Sequence, residues 1–222
     1  MEYAHQNILT LLEEKQRKKS NLEHQLKIIY YFNFLYNYVF MKTLIKLKNK
    51  IQQKNLKPKP FKNFKFISFN QVDQKGFFNL INKDRVKKSF RKKKNISYQD
   101  HLKYVSNYKN EPIINFVLVD INTQEIVGLF NIKETKLGHE LGKVILKNKY
   151  LGKGIAKKAT IQTLDFFFKI SKKKIIFAKT STRNNVNIAL NLKLGFIITN
   201  LKNNFYTMKL TYVRFYNLCY KK

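Results

Sequence analysis

The chain is short of cysteine, proline, glycine, tryptophan and acid. A single cysteine, Cys219, in 222 residues excludes an internal disulfide framework and any site built on several thiolates. A reducing compartment fits. Three prolines and seven glycines leave few forced turns, so each one is informative where it falls. Only 13 Asp and Glu stand against 45 Lys and Arg, a formal net charge of +32. Such a field draws in anions, whether nucleic acid, acidic lipid, nucleotides or phosphorylated cofactors, and disfavours cationic substrates. The lysines lie along the whole chain and form no single patch. Lys, Asn, Ile, Phe and Tyr are inflated together, which is also what an AT-rich gene writes at tolerant positions.

Long apolar runs are missing too. The most membrane-like stretch, IIYYFNFLYNYVFM at 28–41, is interrupted by Asn33 and Asn37 and bounded by Lys27 and Lys42. It falls short of the ~18 uninterrupted apolar residues that a spanning helix needs. The sequence therefore predicts no transmembrane span. It predicts an aromatic helix face, packed on the protein, on a partner, or peripherally on an acidic membrane surface. The first residues, MEYAHQNILTLLEEKQRKK, lack the basic start, apolar core and small-residue cleavage site of a secretory signal. The expected location is the cytoplasm, with an organellar matrix as the alternative.

With 44% hydrophobic residues, the length suits one main domain with an appendage. Residues 1–57 contain neither Pro nor Gly and carry an apolar stripe, so they read as a helical N-terminal extension. KPKP, ending at Pro60, stops it and places the domain boundary, leaving 58–222 as the main domain. Met41 is a possible internal start, in which case the first helix would be dispensable.

Beyond the prolines the pattern alternates. FKNFKFISF (61–69) reads as a strand, and 71–90 and 97–108 as amphipathic helices, the second opened by Ser97 with Asp100 three residues on. INFVLVD and EIVGLFNIK flank NTQ as a hairpin, and HELGKVILKN (139–148) is a further strand. A helix over 155–170, a strand at KIIFAKT, a helix at NVNIALNLKL and a strand at GFIIT follow. FYTMKLTYVRFY (205–216) reads as a last strand. The fold class is α/β (α+β), a mixed central sheet of about six to seven strands flanked by helices.

The stretch YLGKGIAKKA (150–159) sits where an apolar strand gives way to a lysine-rich helix. A glycine turn opening a helix presents unpaired backbone N–H groups and the positive end of the helix dipole, a cradle for phosphate. The dinucleotide fingerprint fails for want of a third glycine, and the nucleotide-triphosphatase loop for want of Gly-Lys-Ser/Thr in register. By itself the turn reads equally well as a flexible corner.

Together with RNNVNIALNLKLGF (183–196), however, the order and spacing resemble the GNAT family of N-acetyltransferases from about residue 61 to 213. The resemblance implies that Leu151, Gly152, Lys153, Gly154, Ile155 and Ala156 hold the pyrophosphate of acetyl-CoA. Leu151 stands where the family usually has Gln or Arg, with Lys153 as a possible compensation. Asn184 and Asn187 fall on the family's second cofactor-binding block, ahead of Lys193, Gly195 and Phe196. HELGKVILKN resembles the fourth strand, whose splay from the fifth admits the pantetheine arm, with backbone N–H groups near Ile145 and Leu146 on the thioester carbonyl. Asn191 takes the place of a tyrosine that many members use to protonate the departing thiolate. An amide cannot supply that proton, which implies that water does, or that the thiolate leaves as the anion.

For the base, Glu140 lies where the family often has Glu, and its neighbour His139 is expected to titrate near neutrality. His101 in YQDHLKY is similar to the second helix of nucleotide-sugar acetyltransferases. The function expected is acetyl transfer from acetyl-CoA, as co-substrate and without a metal, to a primary amine. An anionic acceptor such as a nucleotide-linked amino sugar suits the charge, and a protein N-terminus is the other candidate. The alternative is a catalytically silent domain of the same fold, binding RNA in a ribonucleoprotein such as an organellar ribosome. Nothing in the sequence fixes the oligomeric state.

Overall fold

The computed structural model describes residues 2–88 and 96–221, except for the side chains of 2–16 and 32–41. Most of the aromatic stretch and the end of the first amphipathic segment thus lie outside the described residues. Helix α1 (Glu2–Gln53) runs through the proline- and glycine-free segment as its composition predicts. The chain divides into two compact units, 1–42 and 43–222. In the first, the side chains of residues 17–31 are exposed, Leu22, Leu26, Ile29, Tyr30 and Tyr31 among them. No helix among the described residues is long and apolar enough to cross a membrane.

The second unit begins at Thr43, inside the helix, and not at the proline cluster that follows it. Leu44 and Ile51 are buried in one cluster with Phe64, Phe66, Phe116 and Phe130. Lys48 is buried with them, and its ammonium donates to the carbonyls of Tyr108, Glu111 and Ile113. Burial pushes that ammonium down to about 8. The helix ends at Gln53, where the chain turns through Asn55 at φ +48° and the Asn55 and Leu56 N–H groups donate to the Gln52 and Ile51 carbonyls; its last turns belong to the core.

After the prolines come β1 (Phe64–Ser68), α2 (Gln74–Ile81), α3 (Asp84–Lys87) and α4 (Tyr98–Asn107). Asp73 caps α2 by accepting from the N–H groups of Lys75 and Gly76, and Ser97 caps α4 by accepting from Asp100, as its sequence predicts. Then follow β2 (Ile113–Asp120), β3 (Ile126–Thr135), β4 (Gly138–Ile145), α5 (Ile155–Ser171), β5 (Ile175–Ser181), α6 (Asn185–Lys193), β6 (Ile197–Lys202), β7 (Phe205–Thr211) and α7 (Tyr212–Cys219). The seven strands form one mixed sheet in the order β1-β2-β3-β4-β5-β7-β6, in which only β4 and β5 are parallel.

The last element differs from its sequence reading. The strand stops at Thr211, whose side chain accepts from the N–H of Arg214 and starts α7. Phe215 then packs among Phe168, Phe196 and Leu210. The aromatic and β-branched content of TYVRFY suits a strand, but burial of Phe215 and the Thr211 cap select the helix.

Side chains of the sheet alternate between two covered faces. Val117, Leu129 and Val144 meet Phe77, Leu80, Val86 and Tyr108 from the α2–α4 side. Phe116, Phe130 and Ile145 meet the end of α1 and the first turns of α5.

Candidate active site

β3 and β4 pair without interruption from Gly128 opposite Ile145 to Thr135 opposite Gly138. β4 and β5 share one register pair, Glu140 with Phe177, so the later part of β4 loses its backbone partner on that side. Strand groups point alternately to the two neighbours. The N–H of Leu146 donates to the Val127 carbonyl at 2.8 Å, toward β3. By the same alternation the N–H groups of Ile145 and Lys143 face the parting. The expectation that both Ile145 and Leu146 offer an N–H there is thus corrected for Leu146, which is committed to the sheet. Arg85 reaches the end of the strand and donates to the carbonyls of Ile145 and Leu146, each at 2.9 Å.

From this strand the chain turns directly into α5. Leu151 closes a short helical turn by donating to the Asn148 carbonyl at 2.9 Å. Gly152 and Gly154 then adopt φ +72° and +71°, the left-handed region. A Cβ at either position would meet nothing within 4 Å, so backbone conformation is what asks for glycine here. Gly154 is the cap of α5 and has no side chain to satisfy its first donors. The first intrahelical bond runs from Lys158 N–H to the Gly154 carbonyl at 3.2 Å. The N–H groups of Ile155, Ala156 and Lys157 precede it in the chain, at the positive end of the helix dipole. Beside the turn, a cleft of about 290 Å³ is lined by Lys62, Lys153 and Lys158, by Asp120, and by Phe61, Phe64, Tyr150 and Ile155. Anionic oxygens suit the donors and the three lysines, which outnumber the single carboxylate.

Across the parting, α6 lays three asparagines against β5. Asn184 caps the helix by accepting from the N–H of Asn187 at 3.1 Å. The amides of Asn187 and Asn191 donate to the Thr180 hydroxyl at 3.0 and 3.1 Å. Asn191 is wholly buried, and its Oδ1 accepts from Lys143 Nζ at 2.5 Å. Lys143 therefore spans from β4 to α6. Burial pushes its ammonium down to about 7. Sequence reasoning passed over this lysine as one of many; its place inside the apolar run of β4 is the signal that sets it apart.

On the α2–α4 face, buried Glu140 lies opposite Lys133, with 3.4 Å between carboxylate and ammonium. The next row is Asn115, Asn131 and Gly142. Asn115 donates from its amide to the Tyr104 hydroxyl at 3.0 Å, while Asn131 Oδ1 is buried without a hydrogen-bond partner. Apart from Glu140, the sequence did not single out this polar strip, because its members come from three strands and a helix.

His139 sits on the opposite face from Glu140. It is buried, with its ring 5.2 Å from that of Phe167, and desolvation, assisted by Lys173, pushes it down to about 4. The expectation of titration near neutrality is corrected: the imidazole is neutral. Glu134 Oε2 lies 3.8 Å from its Nε2, and burial pushes that carboxyl up to about 7. His101 is buried beside Phe77, Phe78 and Tyr98, 3.2 Å from Gln74 Oε1, and burial lowers its pKa. It is a packed core histidine.

A parted parallel pair running through a glycine turn into a helix start defines a mixed α/β fold with a place for a phosphate-bearing ligand. The chain belongs to the acetyltransferase (GNAT) domain family, whose model matches residues 65–197. No curated protein matches it in a sequence comparison. Among solved structures it is similar to a spermidine N-acetyltransferase from Vibrio cholerae, in complex with CoA and spermine. That likeness has 18% identity and a TM-score of 0.60 over 70% of this chain and 99% of that one. It is also similar to the ribosomal-protein-S5-alanine acetyltransferase from Vibrio fischeri, with 21% identity, TM-score 0.58, and 69% and 96% of the two chains covered. An aminoglycoside acetyltransferase in complex with coenzyme A gives 13% identity, TM-score 0.59, and 68% and 96% coverage.

Proposed function

We propose that the protein transfers the acetyl group of acetyl-CoA to a primary amine, that of an anionic acceptor such as a nucleotide-linked amino sugar or that of a protein N-terminus. The observation that carries this reading is the parting of β4 from β5 beyond Glu140, leading directly into the left-handed glycines and the open start of α5. The backbone from Gly152 to Ala156 holds the pyrophosphate, with Lys153 and Lys158 adding charge. The pantetheine arm lies along the free side of β4, where the N–H of Ile145 or Lys143 polarises the thioester carbonyl.

Glu140 takes the proton from the attacking amine, directly or through water, on the face where Asn115, Asn131 and Lys133 supply polar contacts. Lys133 beside Glu140 favours an acceptor that brings its own negative charge. A polyamine would place further cations next to that lysine, in a chain whose net charge is already +32.

Free-CoA release over a panel of nucleotide amino sugars, N-terminal peptides, aminoglycosides and spermidine tests the assignment. Turnover confined to the anionic sugars or to the N-termini supports it. Preference for spermidine would overturn the acceptor class. No turnover, combined with tight salt-sensitive RNA binding, would overturn the activity itself.

A further inference from the structure

The residue that stands where many relatives carry an acid tyrosine is Asn191, and its side chain holds Lys143. The geometry points to Lys143 as the proton donor to the departing CoA thiolate, a catalytic role carried by β4 and not by α6. The inference rests on the acetyl-transfer reading above.

Three placements support it. Lys143 lies on the part of β4 that has left β5, and it reaches across the parting to Asn191, 2.5 Å away. The ammonium thus occupies the space bounded by β4, β5 and α6, where the resemblance puts the sulfur end of the pantetheine arm. Asn191 is fixed in turn: its amide donates to Thr180 Oγ1 at 3.1 Å and lies 3.6 Å from Met208 Sδ. Its carbonyl oxygen is therefore the end offered to Lys143, and it orients one N–H while leaving two for another acceptor. Finally, the surroundings are poor in counter-charge. Phe130 lies opposite Lys143 on β3, and Asn191 with Thr180 faces it from α6 and β5; none of these ionises in the range of interest. Burial is what lowers its pKa to about 7, into the range where a proton is both present and readily given.

The step balances as follows. The amine nitrogen bonds to the acetyl carbon and the carbon–sulfur bond breaks, its electron pair passing to sulfur. One Nζ–H of Lys143 passes to that sulfur, giving CoASH and a neutral lysine. The proton lost by the amine goes to Glu140 or water, and solvent reprotonates Lys143 as product leaves. A surface lysine would be a poor acid here because its pKa lies too far above that of a thiol at ~8.5.

The test uses the full chain and CoA itself, so it does not depend on knowing the acceptor. The thiol of bound CoA is titrated by thiolate absorbance in the wild type, Lys143→Met and Lys143→Arg, with CoA affinity measured by calorimetry on the same samples. In the wild type the bound thiol is expected to ionise about one pH unit or more below its free value of ~8.5, and in Lys143→Met to return to that value or above. Lys143→Arg keeps the charge and the low thiol pKa, but holds its proton throughout. With the best acceptor of the panel it should lose ~10²-fold in kcat and, with it, the alkaline limb of the pH profile. Equal thiol titrations in wild type and Lys143→Met, both binding CoA, would overturn the proposal while leaving acetyl-CoA use standing. Acetylation of Lys143 found by mass spectrometry after incubation with acetyl-CoA would make it a nucleophile and overturn the acid role. Failure of the wild type to bind CoA at all would remove the acetyl-transfer reading and this role with it.

Discussion

Lys133 and Glu140 face each other across β3 and β4, cation to carboxylate at 3.4 Å, with the carboxylate buried and the lysine reaching solvent. Glu140 is thereby held in place on the strand that leaves β5. Glu140→Gln keeps the shape and the cross-strand contact but cannot accept a proton. Turnover should fall ~10²-fold with acetyl-CoA affinity nearly unchanged, a kcat effect without a binding effect. Steady-state kinetics with calorimetry on the same variant check it; an equal loss of affinity would place Glu140 in donor binding instead.

Gly154→Val tests the turn. The position is open, so the valine meets no wall, but φ +71° is a region that β-branched residues avoid at a cost of ~1–2 kcal/mol. Relaxing the strain moves the first N–H groups of α5. Acetyl-CoA affinity should drop about tenfold or more, ~1.4 kcal/mol. Thermal unfolding separates this from general damage, since a small stability loss with a large affinity loss is the expected pair.

The helix before the prolines can be cut at two places with different outcomes. A chain starting at Met41 keeps Leu44, Lys48 and Ile51 and should unfold as cooperatively as the full protein. A chain starting at Lys57 loses all three buried side chains, and removal of Leu44 alone compares with core Leu→Ala changes of ~2–5 kcal/mol. It should fail to give a cooperative transition. Equal melting curves for the two would return the boundary to the prolines.

Glu134 and His139 act on stability in opposite directions as pH changes. The His139 pKa is depressed to about 4, so its contribution is full above ~6.5 and is lost as pH falls toward that value. The Glu134 pKa is raised to about 7, so the folded state holds that proton more tightly and stability declines as pH rises from ~4.3. The two slopes oppose each other between ~4.3 and ~6.5 and leave the wild type flat there. Glu134→Gln removes the decline, so its stability should climb with pH through that window. Urea unfolding at a series of pH values reads the difference in slope.

The sequence was most legible where one residue type decides local structure. Gly152 and Gly154 mark the turn because few other residues accept their φ, and Ser97 marks a helix start; Pro58 and Pro60 lie beyond the end of α1, which Asn55 closes at φ +48°. It was least legible where long-range packing decides. TYVRFY has strand composition and forms a helix because Phe215 is needed in the core. The face that His139 presents follows from its register with Glu134, which only the assembled sheet fixes. Lys143 and Asn191 stand 48 residues apart, and their bond exists only because β4 and α6 border the same parting.

That parting has another side. A strand that lacks a neighbour is ordinarily an exposed edge, and exposed edges recruit other chains into unwanted sheets. Here the two bare margins, of β4 and of β5, turn toward each other in mid-sheet, beneath α5 and α6. Unlike the outer margins of β1 and β6, these two margins leave strand backbone unsaturated without offering it to neighbours in a concentrated solution. A slender, amide-bearing molecule that can lie edgewise between two strands would enter where a polypeptide strand with side chains on both faces would not.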